Sequence, residues 1–597
     1  MPIQRYSINQ HSIETLLAWI KSDAIAIPEI QHPFVWNATK VRDFIDSLYN
    51  GYPVGYLITW RNRDVRLKDG TLSEGKLILI DGQQRVIALF AALHGEQVVN
   101  KDYKRTRISI AFHPGEERFE VANAAIRRDR GWIADVSTVF APDARIRQLV
   151  DDYCEANHVA DKYEIDDRME RLRGIRNNSL GVIELNADLE VETVAEIFVR
   201  INSQGVSLNA ADFAMSKMAA SEQYGGHLLR KCIDYFCHLA VAPEAYNDLA
   251  KDADFASTDY FRAMEWLKNE KDDLYDPSYT DMLRVTFTSQ FKRGRLEDLV
   301  ALLSGRNFET RTFEEATAEK AFHTLRDGIL RYMNETNFKR FVMILRSAGF
   351  VDSSLIRSQN TVNFAYILFL TLRSQGEAPE QIETLVRRWF VMSILTSRYT
   401  GSPETAFGVD IGNIARQGAS RYLDTIEQAD LSDAFWKVGL PQQMDTSVAS
   451  SPYFNVFLAS QVKGNDKGFL SRDLTVRDLL EGQWHIHHVF PRSYLQKHGF
   501  QRGRYNQIAN YVMMQSEINI AIGALPPEKY FSDLWEQCRN GATHYGGITD
   551  VDQLQENLAA HCIPEGMDAA SVEDYDTFLQ GRRELMAAKI RDYYKTL

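Results

Sequence analysis

Three histidines, His485, His487 and His488, stand within four positions of a chain that holds 14 histidines in 597 residues. Buried imidazoles are costly unless they bind metal, exchange protons or find hydrogen-bond partners. Downstream come Asn510 and, nine residues later, Asn519. Phosphodiester hydrolysis needs a metal on the scissile phosphate, a base for the attacking water, and a group that holds the base in place. A strand-end histidine and a helix asparagine can supply two metal ligands and leave positions open for phosphate and water. A second histidine, titrating near neutrality, can take the proton of the water. Asn510 can hold the loop or the base through its amide. Residues 484–530 carry five Lys/Arg against two acids, a local +3 in a chain of net charge -13, as a surface facing DNA requires. A structural zinc site would usually add thiolates, and Cys538 is the one cysteine nearby in sequence. A hydrogen-bonded pair of core histidines is the other reading.

A second polar group lies some 400 residues earlier. The apolar run Lys76–Ile80 reads as a buried strand and leads into Asp81, Gly82, Gln83, Gln84 and Arg85, with a helix expected over Val86–Leu93. An acid, a glycine, two amides and an arginine at a strand-to-helix junction suit phosphate. The first N–H groups of a helix point outward, Gly82 permits close approach, Arg85 can fork onto an anion, and Asp81 can hold a metal or orient a water. On spacing alone the plainer reading, a capped helix with a surface arginine, is preferred. Arg200, Asn202 and Asp212, around a turn at Gly205, can converge on the same ligand or simply cap a helix–turn–helix. The segment Gly70–Lys76 has Walker spacing, but Leu77 follows the lysine and the segment precedes a strand, so it is not a P-loop.

These groups need a scaffold. At the N-terminus Ser12 caps a helix to about Lys21, with Ile13, Leu16, Leu17 and Ile20 on one face. The loop 25–36, with two prolines, presents Gln31, His32, Phe34 and Trp36 either as a recognition surface or as core plugs. Asn37 caps a helix with Val41, Phe44, Ile45 and Leu48 inward, ended by Gly51. Strands follow at Tyr56–Arg66, at a hairpin around Pro114-Gly115, and at Leu180–Leu185. From about Ala214 to Leu458 helical periodicity dominates, as in 313–332, 338–345, 362–374 and 378–396. Basic clusters at 292–295 and 387–389 can touch phosphate or form solvated faces. The polar stretch Lys463–Lys467 reads as a linker. The order after it is strand, loop, strand, helix, with Ser516 as cap and Gly523 as stop.

Composition bounds the rest. Length calls for two to four domains. Net charge -13 gives no global attraction to nucleic acid, so contact with DNA must be local. Five scattered cysteines suggest no disulfide framework and fit a reducing cytoplasm. No run is long enough to span a bilayer.

The motifs Pro28-x-x-Gln31-x-Pro33-x-x-Trp36, Tyr52-Pro-Val-Gly55, Asp81-Gly-Gln-Gln-Arg85, Phe198-x-Arg-Ile-Asn202-x-x-Gly205 and Asp212, in that order, resemble the N-terminal domain of the GmrSD family of type IV restriction enzymes. That domain is similar to the ParB/sulfiredoxin fold. The chain departs from the family in having His32 beside the first glutamine, where Arg is frequent. Residues 397–402 and Asp410 resemble a further family segment, and the C-terminal pattern resembles the family's His-Asn-His (ββα-metal) nuclease. The fold class so implied is α+β multidomain. It comprises an N-terminal α/β domain (1–213) that binds and hydrolyses NTP (ATP or GTP) and senses modification, a helical domain (214–462), and a C-terminal ββα nuclease (463–597). The resemblance implies a nucleotide site at Asp81, Gly82, Gln83, Gln84, Arg85, Arg200 and Asn202. It makes His487 a metal ligand, His488 the general base, Asn510 the central asparagine and Asn519 the second ligand of a divalent ion such as magnesium or manganese. The expected function is modification-dependent cleavage of double-stranded phage DNA, stimulated by nucleotide, in a cytoplasmic homodimer. Two alternatives stay open: a nucleotide-switched DNA-binding protein with a non-catalytic histidine site, and a less selective, toxin-like nuclease.

Overall fold

Alternating apolar residues build a mixed sheet in the N-terminal part of the computed structural model. The structure describes residues 5–22, 24–26, 34, 36–61, 77–100, 105–159, 161–187, 189, 194, 197, 210–219, 221–482 and 486–597. Gln31, His32, residues 70–76, Arg200, Asn202, Gly205, Trp484 and His485 lie outside the described residues. Two compact units are present, Met1–Glu270 with Leu302–Phe322, and Lys271–Ala301 with His323–Leu597. Among the described residues no helix is long and apolar enough to cross a membrane.

In the first unit, β1 (Tyr6–Ser12), β2 (Ile25–Ala26), β3 (Tyr56–Arg61), β4 (Leu77–Asp81) and a late strand, Ser179–Leu185, form a five-stranded sheet. Between them come two hairpins, β5 (Gln97–Val99) with β6 (Arg105–Arg107) and β7 (Ile110–His113) with β8 (Arg118–Val121). With Ser179–Leu185 as β9, the sheet order is β1-β9-β3-β4-β2. The β3–β4 pair is antiparallel, and β3 runs parallel to β9. Period-two alternation sends Ile58, Trp60, Ile78, Ile80 and Leu185 into one cluster. Leu57, Leu79, Leu180 and Val182 enter another, with Leu16 and Val86. The expected caps are present. The Ser12 hydroxyl accepts from the Thr15 N–H at 3.2 Å and starts α1 (Ile13–Lys21). Asn37 Oδ1 accepts from the Lys40 N–H at 2.8 Å and starts α2 (Ala38–Tyr49), which buries Val41, Phe44, Ile45 and Leu48. Phe34 is buried and Trp36 packs edge-on against Phe44, so these two aromatics plug the core. One boundary differs. The helix expected from Val86 begins at Gln83 as α3 (Gln83–Leu89), because Gly82, at φ 103°, already turns the chain.

The second unit is helical around α4 (Gln359–Ser374), whose residues from Thr361 to Leu372 are all buried. A helix apolar on every side belongs at a core centre. Beside it lie α5 (Pro379–Leu395), α6 (Pro403–Gln417), α7 (Ala419–Asp430) and α8 (Pro452–Lys463). The segment around 397–402 and Asp410 is a buried clamp. Arg398 forks onto the Asp410 carboxylate, its Nε at 2.8 Å, and the Tyr399 and Tyr422 hydroxyls donate to the same carboxylate at 2.8 and 2.9 Å. The basic clusters are structural as well. Lys292 Nζ donates to the Ser289 carbonyl at 2.6 Å, Arg293 pairs with Asp298, and Arg388 pairs with Glu427. The stretch 463–467 is held rather than free: half-buried Asp466 pairs with Lys589, and the Lys467 carbonyl meets the His561 ring at 2.8 Å. A burying partner supplied by the C-terminal helix outweighed the local polarity that suggested a linker.

After this stretch come β10 (Ile486–His488), β11 (Tyr511–Met513) and α9 (Ser516–Ile522), followed by α10 (Pro527–Asn540) and α11 (Tyr575–Lys595). Their core contains Val489, Phe490, Leu495, Val512, Ile518, Ile522, Tyr530 and Phe578. Ser516 lies inside α9 instead of capping it. Gln515 precedes the helix, and its Oε1 accepts from the Ser471 hydroxyl at 2.8 Å.

Candidate functional site

The strands β10 and β11 pair antiparallel, with His487 opposite Val512 and His488 opposite Tyr511. Alternation turns the two adjacent histidines to opposite faces of this ribbon, so His488 is the one that meets the Asn506 side chain, and the metal role of His487 rests on the resemblance alone. His487 is 8% exposed, and His488 is partly buried between Tyr505 and Tyr511. The loop between the strands is closed by Asn510, which is fully buried. Its Oδ1 accepts from the Phe490 N–H at 2.8 Å, and its Nδ2 donates to the carbonyls of Phe490 at 3.1 Å and Tyr505 at 3.2 Å. Its own carbonyl accepts from the Val489 N–H at 2.9 Å. Asn510 is therefore the tie that sets where the loop leaves His488.

His488 Nε2 lies 3.0 Å from Asn506 Oδ1. An amide oxygen can only accept, so the proton sits on Nε2 and Nδ1 is the basic nitrogen. Burial holds this imidazole below its ordinary value, the Asn506 bond works against burial, and the nearby Arg492 charge works with it. The net result is a neutral ring at neutral pH, which is the form a general base must have. Asn506 carries no signal in the sequence that ties it to His488, 18 positions away.

Asn519 sits half-buried in α9, the first helix after β11, with regular helical bonds to Gln515 and from Gly523. His487, buried in β10, and Asn519, half-buried in α9, are the side chains that the resemblance assigns to a divalent cation. An imidazole and an amide bind metals as uncharged ligands, so an ion held by them would keep its charge for a phosphate oxygen and keep positions open for water. Among the described residues no group of three His, Cys, Asp or Glu forms a ligand set of the closed, structural kind.

The local charge count needs one correction. Arg504 pairs with Asp576, and Lys529 with Asp533, both acids outside residues 484–530. The cations that remain are Arg492, Lys497 and Arg502. Arg492 stacks over Tyr505 at 5.4 Å, beside the His488 ring.

In the first unit, Asp81 ends β4 and Gln83, Gln84 and Arg85 form the first turn of α3. Arg85 reaches back to the Tyr52-Pro-Val-Gly55 segment. Its Nε donates to the Val54 carbonyl at 3.0 Å and its Nη1 to that of Tyr56 at 3.1 Å, with Asp81 at 3.7 Å. A methyl group on Gly55 would lie 3.0 Å from the guanidinium, and one on Gly82 would lie 2.2 Å from Leu57. The two motifs are thus one packed unit, in which both glycines make room and Arg85 is the fastener. Gln83 is buried, while Asp81 and Gln84 are half-buried.

Residues 13–219 match the family model described as GmrSD restriction endonuclease, N-terminal domain. The chain is also similar to an uncharacterized protein of Methanocaldococcus jannaschii, at 24% identity over 222 residues. That similarity covers 34% of this chain and 36% of the archaeal protein, so it spans about a third of the relative's length.

Proposed function

We propose that this chain, whose residues 13–219 carry a GmrSD-type restriction-endonuclease N-terminal domain, is a type IV restriction endonuclease. It cleaves modified double-stranded DNA at a divalent-metal His-Asn-His centre in residues 463–597, under the control of NTP bound and hydrolysed in residues 1–213. The observation that carries the nuclease reading is the ββα run in which Asn510 ties the loop beside a neutral, buried His488. In this reading His488 Nδ1 takes the proton of the attacking water while Asn506 holds Nε2. The water oxygen forms its bond to phosphorus as the bond to the leaving oxygen breaks. His487 and Asn519 are assigned to the metal on resemblance and would hold it, and when bound it would supply positive charge against the scissile phosphate. Arg492, Lys497 and Arg502 take flanking phosphates. At the other site Asp81 orients water or cation, Gln84 contacts the nucleotide, and Gly82, Gln83 and Arg85 hold the turn. Arg200 and Asn202 are assigned there on resemblance. A homodimer supplies one nuclease centre for each strand.

A cleavage panel tests this reading. Plain plasmid and DNAs carrying glucosylated hydroxymethylcytosine, methylated bases or backbone sulfur are incubated with magnesium or manganese, with and without ATP or GTP. The expected outcome is cutting of at least one modified DNA and sparing of the plain one. His488→Ala should lose cutting and keep NTP turnover, and Asp81→Ala should lose NTP turnover. Normal cutting by His488→Ala would sink the site assignment. Equal cutting of all DNAs would indicate the less selective nuclease. No cutting under any condition would indicate a nucleotide-switched DNA-binding protein.

A further inference from the structure

We infer that Arg582, in α11, is a positioning residue for the loop between His488 and Asn510. Its side chain is fully buried. Nη1 donates to the Ala509 carbonyl at 2.8 Å, and Nε donates to the His561 carbonyl at 3.2 Å. Ala509 immediately precedes Asn510 in a short 3-10 turn, Ile508–Asn510. A guanidinium on the Ala509 carbonyl therefore fixes the peptide from which the Asn510 side chain reaches Phe490, two residues beyond His488. The rigid fork of arginine aims separate nitrogens at two carbonyls from distant segments in a fixed geometry, where a lysine has a single ammonium on a flexible stem.

The charge itself has no structural excuse. Among the described residues no carboxylate pairs with Arg582, and burial pushes its guanidinium down to about 10. Replacing buried ion pairs with apolar side chains of similar volume is often neutral or stabilising, so filling a core space does not call for a charge. The packing alone would thus be served by methionine, whereas the two aimed donors would not. Other groups brace the same loop. The Tyr530 hydroxyl donates to the Val489 carbonyl at 2.7 Å, and that of Tyr575 donates to the Arg504 carbonyl at 3.0 Å. The second carbonyl held by Arg582 belongs to His561, whose ring is itself clamped between Gln461 at 3.2 Å and the Lys467 carbonyl at 2.8 Å. Arg582 thereby connects the loop to the end of α8.

The kinetic part of this inference rests on the nuclease reading. The test uses the full chain with Arg582→Met and Arg582→Lys, and two readouts. The first is cleavage of the best DNA of the panel at saturating metal. Arg582→Met is expected to lower kcat about 100-fold with KM unchanged, as a displaced catalytic group does, and Arg582→Lys to recover much of the loss by reaching Ala509 alone. The second is hydrogen exchange, expected to rise in residues 489–510 of Arg582→Met and to stay unchanged in α4 and α5. A wild-type kcat in Arg582→Met, a lysine variant no better than methionine, or exchange rising evenly through the unit would each overturn the inference. If the wild-type chain cuts nothing, the nuclease reading has failed by itself, and unchanged exchange at 489–510 in Arg582→Met then overturns the positioning role separately.

Discussion

Asn510 shows how much one buried amide can specify. Its side chain makes three hydrogen bonds to backbone groups of Phe490 and Tyr505. Removing it leaves those groups buried without that partner, at about 1–3 kcal/mol for each group that finds no other. Asn510→Ala is expected to cost roughly 3 kcal/mol in urea unfolding, and a loss below about 1 kcal/mol would show that water replaces the amide. Asn510→Asp keeps the acceptor for the Phe490 N–H and loses both donors, so it should be nearly as damaging. At this scale the sequence was informative about His488 and Asn510, whose polar groups beside an apolar run had to find partners and do. Asn506 was not legible. It lies in a loop whose course depends on Asn510, Tyr530 and Arg582, and no local pattern encodes such a path.

Among elements, the junction at Gly82 makes a strict demand on its residue. Its φ of 103° strains any residue with a side chain, and a methyl group there would overlap Leu57. Gly82→Ala is expected to destabilise the first unit by about 1–3 kcal/mol, seen as a lower Tm for that unit. Leu57→Ala in the same chain should not restore it, because the backbone strain remains. A Gly82→Ala protein with the wild-type Tm would mean that the turn relaxes freely. The helices and strands of this unit were largely legible, since capping residues and periodicity of two or 3.6 act over a few residues. The start of α3 was misplaced because the glycine turn is tighter than the apolar pattern suggests. The basic clusters at 292–295 and 387–389 show the converse limit. Their partners, such as Glu427 for Arg388, are distant in sequence, and only the packed helices bring them together. Charge alone could not separate a clamp from a phosphate site.

For the whole molecule, pH sensitivity should arise where segments meet in the second unit. His561 is fully buried, and burial lowers its titration from 6.5 to about 3. Arg582 and Lys589 oppose its protonation as well. In the unfolded chain the imidazole takes up its proton near 6.5, and in the fold it does so only near 3. Between these values the unfolded state binds the extra proton, so stability is complete above the unfolded value and falls as pH is lowered through this window. The slope from one such group is at most about 1.4 kcal/mol per pH unit. Asp466, whose carboxyl burial raises, acts in the opposite sense at carboxylate pH. The clear comparison is therefore urea unfolding at pH 7.5, 6 and 5, where His561→Gln should flatten the profile. An equally steep profile in His561→Gln would move the effect elsewhere. The contact of Arg582 with Ala509 also has a temporal consequence. A polypeptide grows from its N-terminus, so every proposed nuclease ligand and base has left the ribosome before position 582 is made. Any product that stalls in that interval carries the whole set of reactive side chains on an unfastened loop, and translation itself would then withhold cutting power from unfinished chains.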